Sequence, residues 1–333
     1  MSAERRRRVL ITGATGFLGG YAVREFLAAG DDVLATGRAP EALARLEEEG
    51  ATVLRADLAE LGATDVEADV LVHAAALSSP WGTWSEFERA NVAGTEAMIA
   101  LAERCGIRRF VFVSSPSIYS ARRHQYLVRE EEVDTGSRMS LYIRSKIEAE
   151  RLLQEAHRAG RIPELVILRP RGLIGVGDPS LLPRFVAASR RRGIPLFDGG
   201  RNPVDITCVE NAAHALVLAA DAPVADGGVY NITNGEPAPL GDLLERFFAA
   251  MGEEPRFIRV DLRVLTALAE ILERVYRLLP GREPPFTRYT VATLAYAQTL
   301  DISRARTELG YEPTVPLADG IRRVGEHLRT TRG

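Results

Sequence analysis

Thr12-Gly13-Ala14-Thr15-Gly16-Phe17-Leu18-Gly19 lies between an apolar run, Val9–Thr12, and the helical pattern that follows it. Three glycines at this spacing do three jobs. The first permits a tight turn, the second a close backbone approach to a pyrophosphate, and the third close packing of helix on strand. A helix that starts here offers free N–H groups and the positive end of its dipole to phosphate. An ordinary structural turn would not need all three glycines at a strand–turn–helix junction near the chain start. Gly13, Thr15, Gly16, Phe17, Leu18 and Gly19 are therefore the expected cofactor-binding residues.

Outward from this loop, short β-rich runs alternate with helical patterns, as in βαβ units. The strands are expected at Val9–Thr12, Val33–Thr36, Thr52–Arg55, Val70–His73, Phe110–Ser114 and Leu165–Leu168, with Val229–Thr233 as the last. Their unbroken apolar character suits parallel strands buried on both faces. Gly30, Gly50, Gly106 and Gly160 supply helix stops. The expected fold is α/β, a doubly wound parallel sheet of the Rossmann kind. After Pro170 the pattern loosens, and Asp205–Val209 and a helix from Asn211 to Ala220 look sheet-associated again. Residues 236–333 read as mainly helical, broken at Pro280-Gly281 and Pro284-Pro285. The expected division is residues 1–170 and 204–235 as the dinucleotide-binding domain, with 171–203 and 236–333 as a smaller, mainly helical substrate lobe.

Composition narrows the function classes. The 333 residues are 46% hydrophobic and 26% charged with net charge −3, which gives no electrostatic reason to expect a nucleic-acid partner. The basic run Arg5–Arg8 reads as a solvated flank of the first strand. Cys105 and Cys208 lack metal-ligand spacing and fit a reducing cytoplasm, so no metal site is expected. No signal peptide precedes the first strand, and no uncharged apolar run reaches bilayer-spanning length. Among 42 Lys and Arg residues only Lys146 is lysine. A position that stays lysine against that background points to a need for a compact ammonium rather than a planar guanidinium.

Lys146 lies four residues after Tyr142, so on a helix capped by Ser140 the two share one face. A cation there favours the tyrosinate and lowers a phenol pKa that is otherwise about 10. The tyrosine then serves as an acid/base toward a carbonyl or alcohol. Val113-Ser114-Ser115-Pro116-Ser117 ends the fifth strand, on the side where open α/β sheets bind ligands. A hydroxyl there donates to an oxygen whose charge changes during reaction. Near the end of the second strand, Ala35-Thr36-Gly37-Arg38 has an arginine where NAD binders usually place an acid. Arg38 favours NADP through its 2′-phosphate, with NAD as the alternative and a solvated surface residue as the plainer reading. Asp57-Leu58 stand where adenine would lie, and Asp57 equally suits a helix N-cap.

Together these residues resemble the extended short-chain dehydrogenase/reductases, the superfamily of nucleotide-sugar epimerases and 3β-hydroxysteroid dehydrogenases. The resemblance implies Ser115, Tyr142 and Lys146 as the catalytic set, with Lys146 also on the nicotinamide ribose. It adds Asn91 as an organiser of the site, Ala74-Ala75-Ala76 beside the cofactor and Pro170 near the nicotinamide. Two features of the sugar branch are missing: Gly172 stands where an asparagine is typical, and Val204-Asp205-Ile206 lacks the arginine that grips a substrate diphosphate. Pro170–Asp178 and Asn202–Thr207 look instead like the 3β-hydroxysteroid dehydrogenase branch. Within that branch, Pro80-Trp81-Gly82-Thr83, Ser115-Pro116-Ser117, Asn234-Gly235-Glu236-Pro237 and Leu279-Pro280-Gly281 resemble bacterial reductases of 2-alkyl-3-oxoalkanoates.

The resemblance implies hydride transfer between a nicotinamide and a secondary alcohol or ketone of a small hydrophobic substrate, a 3-oxo acid or a steroid-like molecule. Ser115, Ser117, Trp81 and Arg171 are the expected substrate contacts. Arg171 reads as a carboxylate clamp or a solvated surface residue, and Trp81 and Trp84 as pocket lining or core. Leu262, Leu265, Leu268, Leu272, Val275, Tyr276 and Leu279 mark an amphipathic helix packed on the lobe. Such a helix also suits a cleft wall or, less readily, a membrane-surface contact. A homodimer is compatible with the family. The rivals are a nucleotide-sugar epimerase or dehydratase, and a non-catalytic NADP sensor on the same fold.

Overall fold

The computed structural model describes residues 6–137, 139–222, 227–279 and 281–331; Arg5 and Pro280 lie outside them. Seven parallel strands form the central sheet: β1 (Arg8–Thr12), β2 (Asp32–Gly37), β3 (Thr52–Arg55), β4 (Val70–His73), β5 (Arg109–Val113), β6 (Glu164–Pro170) and β7 (Gly228–Ile232). Their spatial order is β7-β6-β5-β4-β1-β2-β3. The chain winds outward from β1 through β2 and β3, then returns to the other side of β1 with β4. The switch point therefore falls between β1 and β4, where such sheets open a ligand crevice.

Both faces of the sheet are covered, which explains the unbroken apolar strands. On one face Val9, Ile11, Val72, Val111 and Val166 pack with Ala22 and Phe26 of the Phe17–Ala28 helix and Leu216 of the Val209–Asp221 helix. On the other, Leu10, Leu71, Phe110, Phe112 and Ile167 pack with Ile99 of the Gly94–Cys105 helix and Leu153 of the Leu141–Arg158 helix. Alternation along each strand thus feeds two separate cores. Gly30, Gly50, Gly106 and Gly160 all have positive φ, as helix stops require.

A third core joins the helices Leu181–Arg191, Leu240–Ala250 and Leu317–Thr330. The Asp205–Val209 run does not extend the main sheet. Only Thr207–Cys208 is strand, paired with Leu173–Ile174 in a sheet of its own, and the helix already begins at Val209.

The Leu262–Arg277 helix departs from its expected one-sided packing. Leu262, Leu265 and Ala269 face Phe197, Val291 and Ala295, whereas Leu268 and Val275 are exposed together with Val264, Ile271 and Leu278. Its pattern carries two apolar stripes, and the fold covers one. The covered side is pinned by Glu273, which is buried and accepts the Arg288 N–H at 2.7 Å and its Nε at 2.9 Å.

The glycine loop is the tightest junction of helix and sheet. A Cβ at Gly19 would fall 2.0 Å from the Gly13 carbonyl oxygen, and one at Gly13 would fall 2.7 Å from the Ala75 backbone. Gly19→Ala is expected to cost about 3 kcal/mol, the upper range for overpacking, and to lower Tm by roughly 6 °C. Thermal unfolding of the variant beside the parent measures it, and an unchanged Tm would mean that the helix shifts freely.

Candidate active site

At the switch point the β1 and β4 ends are tied by buried polar groups. Thr12 Oγ1 lies 2.7 Å from His73 Nδ1, and His73 Nε2 lies 3.2 Å from Thr95 Oγ1. Burial first, then the Lys146 charge, push the His73 pKa down to about 3, so the ring is neutral and serves as a spacer. Thr12 Oγ1 also accepts the Ala75 N–H at 3.3 Å, which holds Ala74-Ala75-Ala76 against the glycine loop.

Gly13 takes φ +70, and the Gly16 N–H closes the turn onto the Gly13 carbonyl at 2.9 Å. The Phe17–Ala28 helix starts with no side-chain cap, so its first N–H groups are left for a ligand. A Cβ on Gly16 would meet only the Gly13 oxygen, at 3.1 Å, so the outer side of this loop is open. That cradle fits the pyrophosphate of a dinucleotide. At Gly37 a Cβ would collide with the Thr15 side chain at 2.5 Å, so glycine there lets the end of β2, and with it Arg38, approach the loop. Arg38 is exposed. Asp57 caps its helix, its Oδ1 accepting the Ala59 and Glu60 N–H groups at 2.9 Å, and Leu58 packs against Gly94.

Two strands from the glycine loop, the end of β5 carries the proposed chemistry. Ser115 Oγ caps the 3-10 turn Pro116–Tyr119, accepting the Ser117 N–H at 3.2 Å and donating to Ser117 Oγ at 2.9 Å. Ser140 Oγ caps the Leu141–Arg158 helix by accepting the Ile143 N–H at 3.1 Å, and this sets the phase that buries Tyr142 and Lys146 on one face. Asn91, buried in a π-helical segment, accepts the Leu77 N–H at 2.7 Å and donates to Ser145 Oγ at 2.9 Å. It thereby clamps the stretch after β4 to the Tyr142 helix.

The electrostatics depart from the sequence expectation. Burial raises the Tyr142 phenol above its ordinary value, while the Ser115 and Ser78 hydroxyls pull it back. The Lys146 ammonium does not hold it low. Lys146 Nζ donates to the Val113 carbonyl at 2.8 Å and lies 4.5 Å from the Phe112 ring centroid. Its natural counter-ion, Glu150, is already engaged by Arg169, with Nε–Oε1 at 2.9 Å and Nη2–Oε2 at 2.5 Å. Burial, partly offset by Glu150, brings Lys146 down to about 8.

A cleft of about 180 Å³ opens beside this helix, lined among others by Trp81, Phe87, Met139, Leu141 and Arg277. It reaches neither Ser115 nor Lys146. Trp84 is instead covered by Arg144, whose guanidinium carbon lies 3.9 Å from its ring centroid. Pro170 ends β6, and Arg171 follows it into the interior rather than onto the surface.

Two neighbours of the site escaped the sequence reading. Ser78 lies against Tyr142, and Tyr289 Oη lies 2.7 Å from Ser117 Oγ. Ser78 lies in the short Leu77–Ser79 stretch between two segments that the sequence did single out. Tyr289 comes from the Arg288–Ala295 helix of the second lobe, and no local spacing ties it to residue 117.

A glycine loop at the switch point and a Ser–Tyr–Lys set at the neighbouring strand ends define a nicotinamide-dependent oxidoreductase of the extended short-chain dehydrogenase/reductase class. The profile of the NAD dependent epimerase/dehydratase family matches residues 9–233, and the chain belongs to that family. It is 34% identical over 329 residues to the 2-alkyl-3-oxoalkanoate reductase of Stenotrophomonas maltophilia (strain K279a), covering 95% of this chain and 98% of that one. It is 32% identical over 271 residues to the 3beta-hydroxysteroid-dehydrogenase/decarboxylase isoform 2 of Arabidopsis thaliana, covering 77% and 48%. These relatives place it in the 3β-hydroxysteroid dehydrogenase-like branch. Among solved structures, the UDP-glucuronic acid 4-epimerase of Bacillus cereus in complex with NAD superposes with a TM-score of 0.77 at 21% identity, over 98% of this chain and 100% of that one, a likeness of fold. No described helix is long and apolar enough to cross a membrane.

The buried ammonium has a cost that stability measurements reveal. Between the folded pKa of about 8 and the ordinary 10.5, the unfolded chain holds a proton on Lys146 that the folded chain does not. Stability from this group therefore rises with pH through that window and is lowest below it. Lys146→Met is expected to be more stable than the parent at pH ~7, with the gap closing toward pH ~10. Denaturant unfolding at both pH values checks this, and a less stable Met variant at neutral pH would mean that the Val113 bond outweighs desolvation.

Proposed function

We propose that the chain catalyses NADP-dependent reduction of a ketone, reversibly, on a hydrophobic 3-oxo acid or steroid-like substrate. The observation that carries this reading is the placing of the buried Tyr142 phenol beside the Ser115 hydroxyl, on the helix face it shares with Lys146. A phenol so placed can pass its proton to a carbonyl oxygen that the serine also contacts. When bound, the nicotinamide supplies or accepts the hydride at the carbonyl carbon. Tyr142 gives its proton to the carbonyl oxygen, and Ser115 donates a hydrogen bond to the same oxygen as negative charge builds. Lys146 holds the nicotinamide ribose, and Asn91 keeps the tyrosine helix in register with the segment after β4.

The remaining assignments follow the same reading. Gly13, Thr15, Gly16, Phe17, Leu18 and Gly19 cradle the pyrophosphate, while Asp57, Leu58, Ala74, Ala75, Ala76 and Pro170 border the cofactor. Arg38, exposed beside the loop, suits a 2′-phosphate, which favours NADP over NAD. Trp81 and the apolar cleft around it suit an alkyl or sterol body, and 171–203 with 236–333 form the substrate lobe. A sugar-diphosphate substrate is disfavoured because Val204-Asp205-Ile206 lacks an arginine for it and the Asp205 carboxylate is itself buried.

Tyr142→Phe is expected to lower NADPH-dependent reduction of a panel of 3-oxo acids and ketosteroids by about 10²–10⁴-fold while leaving cofactor binding intact. Nicotinamide absorbance follows the turnover and dye-free calorimetry the binding. Tight binding with no net NADPH consumption by the parent would instead favour an epimerase or sensor. Arg38→Ala is expected to cut the preference for NADPH over NADH by roughly tenfold in kcat/KM, and an unchanged ratio would remove Arg38 from the cofactor site.

A further inference from the structure

Three arginines are buried among the described residues, Arg109, Arg169 and Arg171. The first two are engaged. Arg109 pairs with Glu164 and donates to the Ala219 and Ala220 carbonyls at 3.1 and 3.0 Å. Arg169 holds Glu150 in bidentate fashion and donates to the Glu130 carbonyl at 2.8 Å. Arg171 is 8% exposed, its Nε has no partner, and no carboxylate among the described residues reaches ion-pair distance from it. Its backbone is committed, the N–H to Ile232 and the carbonyl to Thr207, so the side chain is delivered to this place deliberately rather than by slack. Burying a guanidinium unpaired costs several kcal/mol, a cost that an incoming anion removes.

The Arg288–Ala295 helix, which carries Tyr289, lines a cavity together with Arg171, and the charges of Tyr289 and Asp205 bear on the guanidinium. Asp205 is spoken for, its Oδ2 accepting the Leu300 N–H at 2.7 Å. The cavity is small, about 10 Å³, and is lined also by Ser120, Gln125 and Gln298 and by no carboxylate among the described residues. Tyr289 joins the reacting side through its phenol hydroxyl. Its Oη is 2.7 Å from Ser117 Oγ, which is 2.9 Å from Ser115 Oγ. A chain of hydroxyls thus runs from the proposed oxygen-binding serine toward the unpaired cation.

We propose that Arg171 and Tyr289 form a carboxylate-reading subsite, in which the guanidinium and the Tyr289 hydroxyl hold the carboxylate of a 3-oxo acid whose ketone oxygen rests on Ser115 and Tyr142. The inference rests on the reductase reading above and adds what the second lobe contributes to it. Ser115 Oγ and Tyr289 Oη both hydrogen-bond Ser117 Oγ, at 2.9 and 2.7 Å, which brings them near enough to hold the ketone oxygen and the carboxylate of one 3-oxo acid. The diphosphate of a cofactor is the wrong anion for this place. It belongs at the β1 loop, and β6, which leads into Arg171, is three strands away, or about 14 Å at ordinary strand spacing. Tyr289 is a specificity residue on this account, because it comes from the Arg288–Ala295 helix, outside the sheet that carries the proposed cofactor site.

The test compares a 2-alkyl-3-oxo acid with its methyl ester, under saturating NADPH, in the parent, Tyr289→Phe and Arg171→Lys. The parent is expected to favour the acid in kcat/KM by ~10–100-fold, the range for a charge-assisted contact. Tyr289→Phe is expected to raise KM for the acid about tenfold and to lower the acid-over-ester ratio of kcat/KM by a similar factor, whatever its effect on the rate with the ester. Arg171→Lys keeps the charge but loses the fork, and is expected to reduce that preference for the acid at least as much. Equal losses on acid and ester in the variants, or a parent that favours the ester, overturn the subsite while leaving the reductase intact. The parent and the mild Tyr289→Phe decide the matter even if Arg171→Lys does not fold. A parent that consumes NADPH with neither compound overturns the reductase reading itself, and the subsite with it.

Discussion

No side chain fits between the Gly13 turn and the stretch that follows β4. A Cβ at Gly13 would lie 2.7 Å from the Ala75 backbone, and the Thr12–His73–Thr95 chain of polar contacts holds the two strand ends at that separation. Everything functional hangs from this closeness. The first helix starts with bare N–H groups because its N-cap is Gly16, which has no side chain to satisfy them. His73 is kept neutral inside this junction, so it adds a rigid hydrogen-bonded strut without adding a second charge beside Lys146.

A second constraint couples that junction to the chemistry. Asn91 uses both ends of one carboxamide, binding Leu77 on the side of β4 and Ser145 on the Tyr142 helix. Ser145 in turn donates to the Tyr142 carbonyl at 2.8 Å. The position of the phenol is thus referred back to the β4 end, rather than to its own helix alone. The π-helical turn around Asn91 is the local adjustment that aims its side chain inward, a use to which such turns are often put.

Charge placement in the interior separates structure from function. Arg169 and Glu150 neutralise one another, and Glu150 is consequently unable to give Lys146 a full counter-ion. Lys146 keeps a backbone carbonyl and an aromatic face, a poor environment for an ammonium and a good one for a donor reserved for something else. Arg171 repeats the logic more severely two residues after Arg169. Stability is lost at both positions, in the way binding and catalytic sites commonly trade it for preorganised charge.

The strand count, the parallel sheet, the glycine loop and the Tyr142–Lys146 pair were legible in the residues themselves, because each depends on local periodicity or on short spacing. Short unbroken apolar runs bounded by turn residues suit strands covered on both faces, and a capped helix places residues four apart on one face whatever surrounds it. Three things were not legible. The lowering of the Tyr142 pKa by Lys146 was expected from spacing, yet burial and the competing Arg169–Glu150 pair decide the electrostatics, and both are long-range facts. The two apolar stripes of the Leu262–Arg277 helix look alike along the chain, and only packing against Phe197 and Val291 chooses which is covered. Tyr289 meets Ser117 across 172 residues of sequence, and Arg171 proves buried and unpaired only when every neighbour is in place. Local chemistry is written in neighbouring residues, whereas desolvation and the meeting of lobes are sums over the whole folded chain.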